Sequence, residues 1–464
     1  MKLYNTLTRQ TDDLHPLQDN KIKLYTCGLT VYSQPHIGNW LGYIYWDILV
    51  RALVASGYDV ERTQNITDVG HLTSDDDSGE DKMEKGAQRE GITAWDVAAK
   101  YSAIAEHEGY ELLGLVRPDH LVRATDYIAQ QIAFAKTLED KGYTYVIPDD
   151  GLYFDTSKLR AYGKLARLDI AGLEAGARVP VEGKKNITDF AIWKFSHKGS
   201  KRDMEWDSPW GVGFPGWHLE CSVIARETLG DQIDIHTGGI DHIPVHHTNE
   251  IAQTEAVTGK PFSQFWVHNN HLRVDGQKMS KSIGNIYTLQ DILDKGYTMD
   301  AFRVFVLSKH YSTEGNFTWD NLAAAQNRLK HWQEAAATRW QTESLPKATH
   351  ATSAPEFTEK LKSALADNLD TPKALQLIDD VADAALEGAV CATCLDDITH
   401  TVKEILGIEI AVPDTTPEQK QLLDEREQAR RQKDWSKSDA LRDTLAGQGI
   451  GLRDTSSGAI WYRL

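Results

Sequence analysis

The strongest constraint on the fold is a strand–helix–strand pattern that occurs twice, far apart in the chain. In the first copy, Lys21 to Thr26 alternates towards an apolar strand and a loop runs to Pro35. His36 to Ser56 then has the length and apolar content of a buried helix ended by Gly57, and Tyr58 to Gln64 reads as a second strand. In the second copy, Gln232 to His236 reads as strand and Val245 to Val257 as a helix closed by Gly259; Phe262 to Val274 contains another strand before the loop at Asp275-Gly276. Each copy is half of a doubly wound, Rossmann-like parallel sheet, an α/β fold that places its ligands at the carboxyl ends of the strands. Cys27 and His36 fall at that edge in the first half.

The sheet is therefore split. Residues 1–124 hold its first half, 211–275 its second, and 125–210 an inserted domain with strand-like Tyr143 to Ile147 and Gly151 to Phe154. Residues 276–325 form a connecting region, 326–412 an all-α helical bundle with Ala-rich stretches at Leu361 to Leu369 and Lys373 to Leu386, and 413–464 a small C-terminal module. The breaks at Leu345 to Pro355 and Pro413 to Pro417 carry Pro and Thr. Asp75 to Asp81 is acidic enough to be a mobile loop.

A length of 464 residues suits several domains, and 41% hydrophobic with 25% charged residues is the balance of a globular protein in water. No cationic start precedes an apolar run, and no window approaches the ~20 apolar residues that span a bilayer. A monomeric cytoplasmic protein with no membrane partner is expected. The four cysteines, Cys27, Cys221, Cys391 and Cys394, are too few for a disulfide framework, so thiols or metal ligands are expected. Cys391-x-x-Cys394 has no second pair and lies in an Ala-rich helical stretch, which points to two small buried residues and no metal. The net charge of −18 argues against holding nucleic acid by bulk attraction, so any RNA contact must be local. The stretch Asp414 to Leu464 has nine basic and nine acidic residues, which leaves the whole −18 on the remainder.

Two short motifs carry chemistry. His36-Ile37-Gly38-Asn39 opens the first helix, where backbone N–H groups and the helix dipole favour phosphate; Gly38 allows close approach of a ligand and His36 can donate to a phosphate oxygen. Lys278-Met279-Ser280-Lys281-Ser282, flanked by Gly276 and Gly284, places two ammonium groups in a loop able to close over a triphosphate and stabilise departing pyrophosphate. A third group is suited to metal. His246 and Glu250 are four apart on one helix face, and Cys27 and Cys221 can reach the same sheet edge. Two thiolates, an imidazole and a carboxylate suit Zn²⁺ better than hard ions. Spacing leaves His247 as a competing ligand, with His236 and His242 close in sequence.

The two motifs in this order, flanking a split nucleotide fold, resemble the signatures of class I aminoacyl-tRNA synthetases. Within the class, the chain is similar to the cysteinyl-tRNA synthetases over nearly its whole length. The similarity runs through Tyr25 to Tyr32, Asn65-Ile66-Thr67-Asp68, Pro215 to Ser222, Asp234 to Gly239 and Lys433-Asp434-Trp435. The resemblance implies ATP, with Mg²⁺ on its phosphates, bound by His36, Gly38, Asn39, Lys278, Met279, Ser280, Lys281 and Ser282, of which His36, Asn39, Lys278 and Lys281 are catalytic. It implies one Zn²⁺ per chain on Cys27, Cys221, His246 and Glu250, and an L-cysteine pocket of Cys27, Gly28, Thr67, Trp217 and His236. Substrate thiolate on zinc would then separate cysteine from serine, in keeping with an insertion too short for a large editing domain.

The resemblance further implies tRNA(Cys) as partner, aminoacylated first at the 2′ position, with 276–325 meeting its stem. Arg431, Lys433, Asp434 and Trp435 would read the anticodon, and Trp461 is a further aromatic available for stacking. Two departures stand out. Asn39-Trp40-Leu41-Gly42 is bulkier than the family pattern, which puts the adenine pocket in question, and Thr248 stands where a glutamate is usual. A ligase joining cysteine to an amino sugar would lack the C-terminal module, and a non-catalytic paralogue has no reason to keep Lys278, Lys281 and the four metal positions.

Overall fold

The structure is a computed structural model that describes residues 1–70, 81–168, 183–196, 202–280, 282–341, 353–455 and 458–464. It divides into two compact units: Met1–Arg273 with Lys278–Leu289 and Tyr311–Gly315, and Val274–Gln277 with Gln290–His310 and Asn316–Leu464.

At the centre of the first unit is a five-stranded sheet of β1 (Lys21–Thr26), β2 (Asp59–Ile66), β3 (His120–Arg123), β4 (Ile233–Gly239) and β5 (Ser263–Asn269), in the order β5-β4-β1-β2-β3. Every neighbouring pair is parallel. The chain steps one way from β1 to β2 and the other way from β4 to β5, so the β1/β4 boundary is the switch point where such sheets open a crevice. Thr26 is in register with Gln64 on one side and Thr237 on the other, which delivers Cys27 to that crevice. This is the split, doubly wound sheet expected from the two sequence patterns.

Local chemistry explains the flanking helices. In α1 (Ile37–Ala55), Ile37, Trp40, Leu41, Tyr43, Ile44, Trp46 and Leu49 are all buried, as befits a helix apolar on every side. It ends where Gly57 adopts φ 90°, a conformation glycine tolerates without strain. The helices α2 (Trp217–Leu229) and α3 (His246–Thr258) pack on each other, and α2 also packs on β2. Helix α3 stops at Gly259, φ 70°, whose N–H donates to the Glu255 carbonyl.

The insertion is a four-stranded antiparallel sheet, Thr144–Ile147, Gly151–Phe154, Phe190–Phe195 and Gly213–Pro215 in that spatial order. Its Phe154, Phe190 and Trp193 share one core with Tyr25, Leu219, Ile251 and Trp266 of the nucleotide fold. Residues 75–80 of the acidic stretch lie outside the described residues. Asp81 at its end caps the helix Lys82–Glu90 and pairs with Arg202.

The second unit is helical: Met299–Leu307, Trp319–Ala337, Ala354–Ala366, Thr371–Leu386 and Ala392–Leu406. In Thr371–Leu386 the buried positions Ala374, Leu375, Ile378, Val381, Ala382 and Ala385 follow the helical period. Two further helices, Pro417–Arg431 and Trp435–Gly447, precede an antiparallel hairpin of Ile450–Thr455 and Gly458–Arg463. The expectation for Cys391 and Cys394 is corrected here. They are bonded to each other as a disulfide, and Cys391 is exposed because it stands outside the helix Ala392–Leu406 as its N-terminal cap. Among the described residues, no helix is long and apolar enough to cross a membrane.

Candidate active site and metal centre

Cys27 follows β1 directly, Cys221 lies in the second turn of α2, and His246 and Glu250 are one turn apart at the start of α3. The fold brings all four together. The Cys27 sulfur lies 3.9 Å from Cys221 Sγ, 3.7 Å from His246 Nε2 and 3.9 Å from Glu250 Oε1, and His246 Nε2 lies 3.0 Å from the same Glu250 oxygen. All are buried, and one ligand atom from each falls within 4.8 Å of the others. Such a group could hold a metal ion. Cys27 and Glu250 also belong to a second set with His236 and His247, whose Nε2 is 3.4 Å from Cys27 Sγ, so the alternative raised by sequence spacing has a geometric basis too.

The imidazoles are held from behind. His246 Nδ1 is 2.9 Å from His218 Nδ1; His247 Nδ1 is 2.8 Å from His268 Nε2, and His268 Nδ1 is 2.7 Å from Thr6 Oγ1. His236 bonds the outer Glu250 oxygen at 2.9 Å and stacks on Trp266. Fixing the far nitrogen of an imidazole and the far oxygen of a carboxylate is how metal ligands are oriented. Electrostatics reinforce the set. Burial, then Cys221 and Glu250, pushes the Cys27 thiol well up, while the hydrogen bond from Cys27 holds Cys221 below the usual thiol range. Against burial, His236 and His246 keep Glu250 well below the usual carboxylate range, and Glu250 with Cys221 pushes His246 up to about 10. Buried acids of this kind need a cation, which protonated His246 supplies in part and a divalent ion supplies better.

The pocket residues named from sequence lie around this cluster. The half-buried Trp217 sets its ring 4.7 Å from that of His246, so it is no ordinary core tryptophan. Thr67 Oγ1 donates to buried Glu220 at 3.0 Å and accepts from Asn65 Nδ2 at 2.9 Å, and Asn65 Oδ1 accepts from Gly28 N at 2.8 Å. A Cβ on Gly28 would lie 1.5 Å from the Asn65 carbonyl oxygen, so only glycine fits. Sequence alone assigns Asn65 and Glu220 no role, although they lie inside Asn65-Ile66-Thr67-Asp68 and Pro215 to Ser222. Thr248 turns its hydroxyl to the Ile243 carbonyl at 2.7 Å, closing the turn before α3.

At the first signature, His36 Nδ1 accepts from Asn39 N at 3.2 Å and Asn39 Oδ1 accepts from His36 N at 3.0 Å, a reciprocal cap on α1. Because Nδ1 accepts, the neutral ring carries its proton on Nε2, the tautomer able to donate to a phosphate. Trp40 is 3% exposed and donates Nε1 to Glu108 Oε2 at 2.7 Å, with its ring against Gly109.

The second signature lies beside the first. A Cβ on Gly38 would fall 2.2 Å from Met279 Cε, and Ile37 N donates to the Tyr287 carbonyl at 2.9 Å. Asn285 braces the loop, accepting from Ser280 N at 2.8 Å and donating to the Lys278 carbonyl at 3.2 Å, while Ser280 and Ser282 hydroxyls are 2.7 Å apart. Lys278 is exposed. Lys281 lies outside the described residues.

In the C-terminal module, Arg431, Lys433, Asp434 and Trp435 are all exposed at the junction of two helices, with Asp434 capping the second. Trp461 is 4% exposed and packs with Leu445, Ile450 and Leu452, so it is a core residue and is not available to stack on a base.

Residues 13–327 match the family described as tRNA synthetases class I (C) catalytic domain, and residues 412–463 the cysteinyl-tRNA ligase anticodon binding domain. The chain is 43% identical over 470 residues to cysteine–tRNA ligase 1 of Burkholderia lata, covering 99% of this chain and 96% of that protein. It is 41% identical over 477 residues to the cysteine–tRNA ligase of Novosphingobium aromaticivorans, covering 98% and 95%. Among solved structures, Mycobacterium tuberculosis methionyl-tRNA synthetase in complex with methionyl-adenylate aligns at TM-score 0.59 and 14% identity over 84% of this chain and 92% of that one, a likeness of fold alone. The chain therefore belongs to the cysteine–tRNA ligases, a family of class I aminoacyl-tRNA synthetases.

Proposed function

We propose that the chain activates L-cysteine with ATP and transfers it to the 3′ end of tRNA(Cys), choosing cysteine at a zinc ion held by Cys27, Cys221, His246 and Glu250. The observation that carries the zinc assignment is the convergence of two thiols, an imidazole and a carboxylate in one buried cluster at the switch point of the sheet. That donor set, two thiols with an imidazole and a carboxylate, suits zinc better than a hard ion. His246 is preferred to His247 because its set includes both thiols. When bound, zinc supplies a soft Lewis acid that takes the substrate sulfur as thiolate and discriminates against the harder, less acidic hydroxyl of serine.

The remaining work falls to the chain's own groups. A cysteine carboxylate oxygen forms a bond to the ATP α-phosphorus, the α–β phosphoanhydride bond breaks, and pyrophosphate leaves. His36 Nε2 donates to a phosphate oxygen, Gly38 and Asn39 admit and orient the nucleotide, and Lys278 and Lys281 neutralise the leaving pyrophosphate together with its Mg²⁺; Met279, Ser280 and Ser282 shape the loop. Gly28 and Thr67 line the cysteine site, Trp217 walls it, and His236 holds Glu250 in place. The tRNA ribose 2′ hydroxyl then attacks the cysteinyl carbonyl and AMP departs. Residues 276–325 meet the tRNA stem, and Arg431, Lys433, Asp434 and Trp435 in the 413–464 module read the anticodon.

Cysteine-dependent ATP–pyrophosphate exchange followed by transfer of labelled cysteine to tRNA with a GCA anticodon tests this directly. Exchange and transfer are both expected. Absence of exchange contradicts the enzyme assignment, and exchange without transfer contradicts the tRNA step.

A further inference from the structure

Glu108 is 4% exposed, has no part in the chemistry above, and sits on a π-helical turn, His107–Leu112, a rare conformation that is over-represented at functional positions. Its two carboxylate oxygens take one donor each. Gln34 Nε2 donates to Oε1 at 3.1 Å and Trp40 Nε1 to Oε2 at 2.7 Å. Gln34 is two residues before His36, and Trp40 directly follows Asn39, so one buried carboxylate grips the first signature on both sides. Gly109 permits the arrangement, since a Cβ there would lie 3.2 Å from the Trp40 ring. Burial pushes the Glu108 carboxyl up, and the donors from Gln34 and Trp40 work against that rise.

We propose that Glu108 is a positioning residue for ATP activation: through Gln34 and Trp40 it fixes the entry and first turn of α1, and with them the direction of the His36 ring and the approach over Gly38. The proposal deepens the ATP role assigned to His36 and rests on it. The local cap between His36 and Asn39 ties the signature only to itself, whereas Glu108 ties it to the wall formed by residues 107–112. Losing Glu108 would strand the buried Trp40 Nε1 donor and free both flanks of the signature at once.

The test is ATP–pyrophosphate exchange with ATP and cysteine varied separately. Glu108→Leu should lower kcat/KM for ATP by about tenfold or more, the scale of a small misplacement of a binding group, with KM for cysteine and zinc content unchanged. Glu108→Gln should recover most of that loss, because its amide accepts from Trp40 and donates to a flipped Gln34. Trp40→Phe should cost less than Glu108→Leu, and the double variant should be no worse than Glu108→Leu alone. If Glu108→Leu fails to fold, Gln34→Leu and Trp40→Phe carry the test and should each weaken ATP selectively. Unchanged ATP kinetics in folded Glu108→Leu, equal losses for ATP and cysteine, or a double variant at the product of the single effects would overturn the proposal. His36→Ala, measured alongside, separates the two claims: no ATP effect there contradicts the role of His36, whereas an effect there without one in Glu108→Leu contradicts Glu108 alone.

Discussion

The Tyr43 hydroxyl donates to the Cys27 carbonyl at 3.0 Å, joining the helix that carries the first signature to the strand end that carries a candidate metal ligand. Both groups are buried, and the elements proposed to bind ATP and to select cysteine thereby share one fixed point. Tyr43→Phe keeps the ring and strands the carbonyl. It should cost roughly 1–2 kcal/mol in chemical denaturation and raise KM for cysteine in the exchange assay. An unchanged midpoint together with an unchanged KM would contradict the role of this bond.

Two glycines of the site should respond differently to alanine. At Gly28 the new Cβ meets the Asn65 backbone oxygen at 1.5 Å, an atom held by the sheet; at Gly38 it meets the far end of the Met279 side chain at 2.2 Å. Gly28→Ala should therefore lose several kcal/mol of stability or fail to fold, while Gly38→Ala should fold with a raised KM for ATP. Urea denaturation and exchange kinetics on both variants check this ordering.

Asp68 gives a pH signature. Burial, opposed by hydrogen bonds from Thr125, raises its carboxyl from 3.8 to about 6. Between these values the folded protein holds a proton that the unfolded chain has released, so stability falls as pH rises from about 4 to about 6. A shift of this size is worth at most roughly 3 kcal/mol. Asp68→Asn, whose amide can still accept from Thr125 N and donate to its hydroxyl, should flatten that part of the stability profile. An identical slope in variant and parent would contradict the assignment.

The two tryptophans of the C-terminal module should separate cleanly. Trp435 is 56% exposed and Trp461 4% exposed. Trp435→Ala should lower kcat/KM for tRNA in aminoacylation and leave exchange and melting temperature unchanged, whereas Trp461→Ala should destabilise the module by roughly 3–5 kcal/mol.

The elements legible in the sequence were those with a strong period or a long apolar run. β1 matched its sequence limits, Lys21–Thr26, and α1 and α3 were offset by about one residue, because apolar content, Gly57 and Gly259 mark them locally. β3 was not legible: four residues from His120 to Arg123 form a strand only because Thr63 to Ile66 offer an unpaired edge. The terminal hairpin escaped for a related reason, since its pairing of Ile450 with Arg463 is read only once the chain has turned. At the site, residue types and helical spacing brought Cys27, Cys221, His246 and Glu250 into consideration but left His247 open, and the choice of His246 came from the family resemblance. The supports His218, His268, Asn65, Glu220 and Glu108 were not legible, because each acts through a partner distant in sequence. Cys391 and Trp461 went the other way: burial depends on which side of an element faces its neighbours, and composition alone does not reveal it.

The proposed activity depends on cysteine being chosen at a metal held by Cys27, Cys221, His246 and Glu250. The most direct measurement is zinc content together with the ratio of cysteine- to serine-dependent exchange, in the parent and in Cys221→Ala. One zinc per parent chain, with zinc and discrimination both lost in Cys221→Ala, is the predicted result; a parent without stoichiometric zinc, or a variant that still rejects serine normally, would contradict it.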